Sequence, residues 1–257
     1  MSPIELVLLF LGALAAGSIN GAIGSGSLVT LPILIALGVD PATAIATNTI
    51  AMVSSAFGGT LANRTQLMSE RRMLRRPVLI AVVGGLLGSL LLLFTSPDAI
   101  GIVVPILIVF ALLLVVFQPL IKRWVSKPVE QDPRGPYASV ALRWGVLGSS
   151  IYGGYFAAAQ GVLLLGILGA TTGRPIREIN GAKNLLTLTV NITAALAFTV
   201  AFFLGHTDIV WIAVLVMAAG ALLGGFGGAQ LARRLPDLVL RLAVVVIAVA
   251  SLTSALL

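Results

Sequence analysis

The stretch GSINGAIGSGSLVTLP, residues 17–32, decides how this 257-residue chain is built. It contains four glycines and three serines, yet apolar residues flank it on both sides. Residues this small favour an irregular backbone, and lipid tolerates irregular backbone only where protein or a cavity surrounds it. The stretch therefore predicts a break between two helical arms inside a membrane protein.

The composition is that of a protein that spans the bilayer. Hydrophobic residues make up 58% of the chain and charged residues only 10%, whereas a soluble domain has about 25% charged residues. Apolar runs long enough to cross a membrane as helices recur at Val78–Leu93, Ile100–Leu120 and Ile209–Leu223. We therefore predict an all-α integral membrane protein with several membrane passes.

The chain has no cysteine and a single histidine, His206. Disulfides, thiolate metal sites and cysteine catalysis are thereby excluded, and one histidine does not make a metal cluster. No nucleophile–base pair and no carboxylate pair falls within the apolar runs, which disfavours an enzyme. We expect no catalytic residue, no metal and no cofactor.

Basic residues are confined almost entirely to alternate loops. Fifteen of the sixteen lysines and arginines fall in four stretches: Arg64–Arg76, Lys122–Arg143, Arg174–Arg177 and Arg233–Arg241. The other loops, at Asp40, Asp98 and Asp208, contain none. This is the positive-inside asymmetry of a multi-pass protein of the cytoplasmic membrane, and it accounts for the net charge of +7 without nucleic acid. A basic face for lipid head groups is the weaker alternative.

The two halves of the chain share a sequence pattern at an offset of 136 residues. The matching pairs are Asn48 with Asn184, Ser55 with Asn191, Gly84 with Gly220 and, after a three-residue insertion, Pro97-Asp98 with Pro236-Asp237. The charge rule puts equivalent loops on opposite sides, so the pattern predicts an inverted repeat, a common construction of secondary transporters. The predicted boundaries are a first membrane repeat at residues 1–122, a cytoplasmic linker at 123–142 and a second repeat at 143–257.

Each half is predicted to begin with a broken, re-entrant helical hairpin, at Ile4–Leu37 and Trp144–Ala170, and to continue with three transmembrane helices. The loops that flank each hairpin lie on one side of the membrane, so the chain must enter and return. Arms of about 15 residues would be roughly 22 Å long, short of the roughly 30 Å hydrocarbon core. We expect hairpins that reach toward the middle of the bilayer or barely through it.

Polar residues at the hairpin tips and on the helices that follow are the predicted substrate site. A helix starting near Ser27 would point free backbone N–H groups at an anion. The candidate substrate-binding residues are Asn20, Gly24, Ser25, Gly26, Ser27, Thr47, Asn48, Gln160, Lys183, Asn184 and Asn191. Close glycine packing at the tip and interhelical hydrogen bonds are the structural alternatives, and the sequence leaves them open.

Lys183 stands apart because it is the one basic residue outside the four basic stretches. A cation at the bilayer centre costs roughly 2.5–3.5 kcal/mol or more, and every acidic residue lies at a loop or at the end of a segment. A bound anion would supply the missing partner. The alternative is that the side chain extends to the inner surface.

The run from residue 17 to residue 48 resembles the opening signature of the TauE/SafE family of membrane proteins. That signature is a glycine-rich stretch, then a proline and a leucine, then an alanine followed by Thr-Ser or Thr-Asn, here Thr47-Asn48. Members of the family are regarded as transporters, generally exporters, of sulfite and organosulfonates such as sulfoacetate. The resemblance covers nearly the whole chain, and the site residues that it implies are Gly24, Ser25, Gly26, Thr47 and Asn48. At the second tip, Ala157–Ala159 and Gln160 replace the usual glycine cluster.

Residues and resemblance together predict a secondary transporter for a small sulfur oxyanion bound between the two hairpin tips. Two alternatives stay open, a transporter of a small carboxylate such as lactate and a passive anion channel. The expected partners are the small anionic substrate and the lipid bilayer, without nucleic acid. Whether the chain forms a homo-oligomer is left open.

Overall fold

The computed structural model describes residues 1–22, 24–125 and 135–232. These residues form ten α-helices and, within those ranges, no β-strand. The helices are α1 Pro3–Ala22, α2 Ser27–Ala36, α3 Pro41–Ala62, α4 Arg64–Leu93, α5 Pro97–Val116, α6 Gln118–Val125, α7 Val140–Tyr155, α8 Gln160–Thr172, α9 Ile176–Phe203 and α10 Trp211–Ala232. The basic stretch at Arg233–Arg241, the Pro236-Asp237 match and the predicted last helix lie outside the described residues. α6 crosses the predicted boundary between the first repeat and the linker.

Both predicted hairpins are broken where the chain is rich in small residues. α1 ends at Ala22 and α2 begins at Ser27, while α7 ends at Tyr155 and α8 begins at Gln160. The arms are unequal, however, since α1 has 20 residues and α2 has 10. The expectation of arms of about 15 residues is therefore wrong for the first hairpin, because α1, at about 30 Å, is long enough to cross the hydrocarbon core.

Four helices of the described chain are long and apolar enough to cross a membrane. They are Pro3–Asn20 within α1, α4 at Arg64–Leu93, α5 at Pro97–Val116 and α9 at Ile176–Phe203. α3 has 22 residues, but its buried side carries threonines, serine, glycines and Asn48. The polar side of α3 therefore faces protein rather than lipid. Length and composition agree with a multi-pass membrane protein.

Two of the helices begin at prolines that follow a capping side chain. Asp40 accepts hydrogen bonds from the backbone N–H groups of Ala42 (3.0 Å) and Thr43 (3.3 Å) at the start of α3. Ser96 accepts the equivalent bond at the start of α5. Proline fits the first helical position because no N–H is needed there, and α5 begins at Pro97 in this way.

The helices pack in pairs that cross between the two halves of the chain. The first arm of each hairpin lies on a long helix of the other half, α1 against α10 and α7 against α4. α3 contacts both α9 and α10, and α9 contacts both α3 and α4. The short arms α2 and α8 pack on α3 and α9, respectively. α3 and α9 are therefore the helices around which the others assemble.

Glycines allow the closest of these helix pairs to approach backbone to backbone. A Cβ atom at Gly88 of α4 would lie 2.1 Å from the carbonyl oxygen of Ile151 in α7, and one at Gly224 of α10 would lie 2.1 Å from a carbonyl oxygen of α1. Gly84 and Gly220 meet the same two partner helices one turn away. Small residues of this kind let helices associate in lipid, so these glycines serve close packing.

Gly88→Ala should destabilise the protein because the new methyl group would overlap the backbone of α7. Overpacking typically costs about 1–3 kcal/mol, so we expect a lower midpoint of thermal unfolding in detergent. Gly101→Ala in α5 is the matched control, since nothing lies within 4 Å of a Cβ atom at Gly101. An unchanged midpoint for Gly88→Ala would contradict the close α4–α7 contact.

Candidate functional site

The tips of the two hairpins meet backbone to backbone. The N–H of Gly161 donates a hydrogen bond to the carbonyl oxygen of Gly24, with an N···O distance of 3.1 Å. A Cβ atom at Gly24 would lie 2.6 Å from Cα of Gly161, and one at Gly161 would lie 2.5 Å from Cα of Gly24. Gly24 also has a φ of +82°, which glycine adopts without steric cost. Both positions therefore require glycine.

Ser25, Gly26 and Ser27 stand at the start of α2 beside this contact. Ser25 and Ser27 are buried, and Ser25 Oγ has no hydrogen-bond partner among the described residues. A Cβ atom at Gly26 would lie 2.3 Å from the carbonyl oxygen of Ala16, so Gly26 serves packing within the hairpin. α2 begins at Ser27 as predicted, which turns the positive end of its helix dipole toward the tips.

The second tip is held in shape by alanines in left-handed backbone conformations. Ala157 and Ala159 have φ values of 63° and 58°, which cost a non-glycine residue roughly 1–2 kcal/mol each. The hydroxyl of Tyr152 donates to the carbonyl oxygen of Ala158 at 2.7 Å and closes the turn. Gln160 follows at the start of α8, and both polar atoms of its amide are buried without a partner among the described residues.

Lys183 is buried beside the first tip. Only 1% of its surface is exposed, and its Nζ donates to the carbonyl oxygen of Asn20 at 3.3 Å. The same carbonyl accepts a hydrogen bond from the N–H of Gly24 at 3.0 Å. Asn20 therefore connects Lys183 to the joined tips. The alternative that Lys183 extends to the inner surface is therefore wrong.

The charge of Lys183 is only partly compensated. The carbonyl of Asn20 belongs to the last turn of α1, where the negative end of the helix dipole favours a cation. An ammonium has three N–H donors, however, and no carboxylate of the described residues forms a salt bridge with it. Asn20 also donates from Nδ2 to Ser55 Oγ at 3.1 Å. One residue of the first hairpin thus links α9 to α3.

The asparagines of α3 and α9 are only partly used in hydrogen bonds between helices. Asn48 Oδ1 accepts from Thr30 Oγ1 at 2.6 Å, while its Nδ2 is buried with no partner in the described chain. Asn184 Nδ2 donates to the carbonyl oxygen of Gly59 at 3.1 Å. Asn191 Oδ1 is buried with no described partner. Helix packing accounts for the Asn184 donor but leaves polar atoms of Asn48 and Asn191 unused.

Thr47 has a different partner from the other predicted site residues. Its Oγ1 accepts a hydrogen bond of 3.1 Å from the backbone N–H of Val210, the residue before α10 begins. The hydroxyl oxygen therefore joins the first turns of α3 to the start of α10. A role of Thr47 in binding substrate stays a prediction.

Three residues of this region were not among the predicted site residues: Gly161, Tyr152 and Ser55. Gly161 and Tyr152 end and begin the stretch YGGYFAAAQG at the second tip, and the tip position was the signal that pointed to them. Ser55 matches Asn191 at the offset of 136. Gly161 and Ser55 contact Gly24 and Asn20 of the first hairpin, and composition and spacing alone do not reveal such contacts. The partner of Tyr152 is close in the chain, at Ala158.

A network of charged side chains joins the two halves of the chain at the arginine-rich end. Arg174 Nη1 lies 2.7 Å from Glu70 Oε1, and Arg174 Nε donates to Glu178 Oε2 at 3.2 Å. The hydroxyl of Tyr137 donates to Glu70 Oε2 at 2.8 Å. Gln66 Nε2 donates to the backbone carbonyl of Glu178. The network ties α4 to the loop between α8 and α9.

The contact with Glu70 raises the pKa of both donors of this network, Tyr137 and Arg174, and keeps them protonated. Burial, the hydrogen bond to Glu70 and the charge of Glu70 all raise the pKa of Tyr137 above its ordinary value. Burial by itself lowers the pKa of Arg174, but the hydrogen bond and charge of Glu70 outweigh it and raise that pKa overall. Glu70 therefore accepts hydrogen bonds from two side chains that stay protonated, Tyr137 and Arg174.

A family model described as Sulfite exporter TauE/SafE matches residues 9–254 of this chain. The chain belongs to the TauE/SafE family. The Probable membrane transporter protein YfcA of Escherichia coli K12 is 28% identical over 239 residues, which cover 90% of this chain and 82% of that relative. A Probable membrane transporter protein of Haemophilus influenzae is 27% identical over 233 residues, covering 88% and 84%. No solved structure matches this TauE/SafE protein.

Ala159→Gly should stabilise this TauE/SafE protein because glycine adopts a positive φ without the penalty that alanine incurs. The greater freedom of glycine in the unfolded chain offsets part of the gain. We expect a net gain of about 0.5–1 kcal/mol, measured as a higher midpoint of thermal unfolding in detergent. Ala158→Gly is the control, since this neighbour is not among the positive-φ residues, and an equal rise there would rule out the backbone conformation as the cause.

Proposed function

We propose that this TauE/SafE protein is a secondary transporter that exports a small sulfur oxyanion, such as sulfite or an organosulfonate, across the cytoplasmic membrane. The family description names sulfite export, and both relatives are named as membrane transporters rather than enzymes. The observation that carries the proposal is Lys183. Its ammonium is buried beside the tips of two broken helices and has no carboxylate partner in the described chain.

The proposed anion site lies beside the contact of Gly24 with Gly161 rather than through it, because the two backbones leave no room there. Ser25 adjoins Gly24 and Gln160 adjoins Gly161, and both carry buried donors without described partners. An unpaired buried polar group costs about 1–3 kcal/mol. A bound oxyanion would accept hydrogen bonds from Lys183, Ser25 and Gln160, and the start of α2 adds the positive end of a helix dipole.

The donors of the site favour a small singly charged oxyanion. Lys183 supplies one positive charge, whereas the Ser25 hydroxyl and the Gln160 amide are neutral. A sulfonate carries one negative charge spread over three oxygens, each able to accept a hydrogen bond. A carboxylate carries the same charge, and its two oxygens have about four lone-pair sites between them, so the number of donors does not separate the two classes. The support for a sulfur oxyanion over a carboxylate is the family description, which names sulfite export.

The proposed mechanism is movement of two inverted repeats around this site. In such a repeat, α1 corresponds to α7, α3 to α9 and α4 to α10. The α1–α10 and α3–α10 contacts then correspond to the α7–α4 and α9–α4 contacts, and all four are present, which supports the repeat. The packing glycines Gly88 and Gly224 follow the same exchange, since they are 136 residues apart (224 − 88). A site between inverted repeats can open alternately to the two sides of the membrane.

The Glu70 network is the proposed gate on the cytoplasmic side. Glu70 belongs to α4 of the first half, whereas Arg174 and Glu178 belong to the second half. Separating the halves at this end would break hydrogen bonds to charged groups, which are worth about 1.5–3 kcal/mol each. Free energies of this size are enough to shift a two-state equilibrium.

Sulfite flux in proteoliposomes should depend on Lys183. We expect Lys183→Ala to lower the initial rate about tenfold or more, because it removes a charge-assisted hydrogen bond worth about 1.5–3 kcal/mol. Asn48→Ala should lower the rate less, because the asparagine is neutral. Arg75→Ala is the matched control, since it removes an exposed cation of α4 and should transport at the parent rate.

The same assay separates the alternative functions. Unchanged flux in both Lys183→Ala and Asn48→Ala would mean that the proposed site is wrong. Sulfoacetate should inhibit sulfite flux more strongly than lactate, and the reverse order would favour a carboxylate transporter. Saturation with sulfite together with counterflow is expected of a transporter, whereas flux that rises linearly with concentration would identify a passive anion channel.

Glu70→Gln should make the tip region more accessible from the cytoplasm, because Arg174 and Tyr137 lose the charge of their shared acceptor. The chain has no cysteine, so Ser25→Cys introduces a single thiol at a position that is 1% exposed. We expect its labelling by a membrane-impermeant maleimide in inside-out vesicles to rise several-fold in Glu70→Gln. Arg71→Gln, at an exposed position of the same helix, is the control, and equal labelling in the two variants would refute the gate.

A further inference from the structure

An apolar groove separates α4 from α7 at the arginine-rich end of these helices. Its volume is about 450 Å³, and its apolar lining consists of Leu79, Ile80, Val83, Val140, Trp144 and Leu147. Leu79 and Trp144 are 65% and 69% exposed, so the groove opens away from the core toward lipid. Deeper in the membrane it is closed where α4 and α7 touch, since a Cβ atom at Gly84 would lie 2.9 Å from the carbonyl oxygen of Leu147.

Arg143 is the charged side chain that lines this groove. Its Nη2 donates to the carbonyl oxygen of Ala138 at 3.1 Å, which holds the guanidinium group at the start of α7. Its Nε is buried and has no hydrogen-bond partner among the described residues. A buried N–H without an acceptor is unfavourable, so the groove suits a ligand that brings oxygen atoms to this end.

α4 places two further arginines on the same side of the groove. Arg72, Arg76, Ile80 and Val83 follow one another at i, i+4, i+8 and i+11, which puts them on one face of the helix. Ile80 and Val83 line the groove, and both arginines are exposed. Two guanidinium groups of α4 therefore lie on the face that continues from the groove toward the cytoplasmic end of the helix.

The arginines stand at the level where lipid head groups are expected. Arg76 directly precedes the apolar part of α4, which starts at Pro77, and Arg143 directly precedes Trp144 near the start of α7. Exposed tryptophan is typical of the boundary between lipid and water. The positive-inside rule assigns this boundary to the cytoplasmic leaflet.

We propose that the groove binds an anionic phospholipid of the cytoplasmic leaflet. The phosphate accepts hydrogen bonds from Arg143, Arg76 and Arg72, and one acyl chain lies along the apolar lining. The apolar lining alone would not favour one lipid over another, because acyl chains in the bilayer are as apolar as leucine side chains. Guanidinium groups recognise phosphate through several N–H donors, and basic pockets between helices on the cytoplasmic side suit negative head groups.

Native mass spectrometry of the purified full chain tests this proposal, with phosphatidylglycerol and phosphatidylcholine of identical acyl chains as probes. We expect phosphatidylglycerol to bind more tightly. Arg143→Gln and Arg76→Gln should each weaken its binding about fivefold, the contribution of one arginine beside an anionic lipid. They should weaken the binding of phosphatidylcholine less, because its choline cation offsets the charge of the phosphate. Arg71→Gln is the matched control, because Arg71 is exposed on α4 but lies off the face of Arg72 and Arg76.

Three outcomes would overturn the proposal. The first is equal binding of the two lipids, and the second is as large a loss of phosphatidylglycerol binding in Arg71→Gln as in Arg143→Gln. The third is displacement of phosphatidylglycerol by glycerol 1-phosphate, which would identify a site for free phosphate compounds. Trp144→Ala keeps every charge and removes an acyl-chain contact, so it should weaken the binding of both lipids alike. No effect on the binding of either lipid would show that the acyl chain does not lie along this lining.

Discussion

The hydrocarbon core of a membrane offers no hydrogen-bond partner to a backbone N–H or C=O group, and the rest of this structure depends on how that constraint is met. Both hairpins are interrupted within the protein, so each has backbone groups to satisfy at its tip. At the contact of Gly24 with Gly161, backbone groups of the two tips form a hydrogen bond with each other. The N–H of Gly161 donates to the carbonyl oxygen of Gly24 at 3.1 Å. A side chain at either position would separate them.

The polar residues around this contact are asymmetric. Thr47 and Lys183 stand at matching positions of the proposed repeat (183 − 47 = 136), yet their hydrogen bonds differ. The Thr47 hydroxyl oxygen is used at the start of α10, by the N–H of Val210, whereas the Lys183 ammonium reaches the carbonyl of Asn20 at the first tip. Helix contacts that correspond between the two halves therefore surround a single buried lysine, and the proposed anion site depends on its charge.

The breaks of both hairpins could be predicted because glycines and alanines are concentrated there. The length of α1 could not, because Gly12 and Gly17 look like further weak points of the helix. In the structure Gly17 is a packing position instead, where a Cβ atom would lie 2.2 Å from the carbonyl oxygen of Ala221 in α10. A glycine in a membrane helix breaks it or brings a neighbour close, depending on what lies opposite.

The sequence by itself determined that the chain spans a membrane, where its helices are interrupted, which loops are basic and to which family it belongs. The first three properties follow from composition, local spacing and charge, all of which act along the chain, and the family follows from the resemblance of the run from residue 17 to residue 48. Only the tertiary structure decided which polar groups meet. The partners of Lys183, Thr47 and Arg174 lie 163, 163 and 104 residues away, and no local pattern encodes a contact that arises when distant helices pack together.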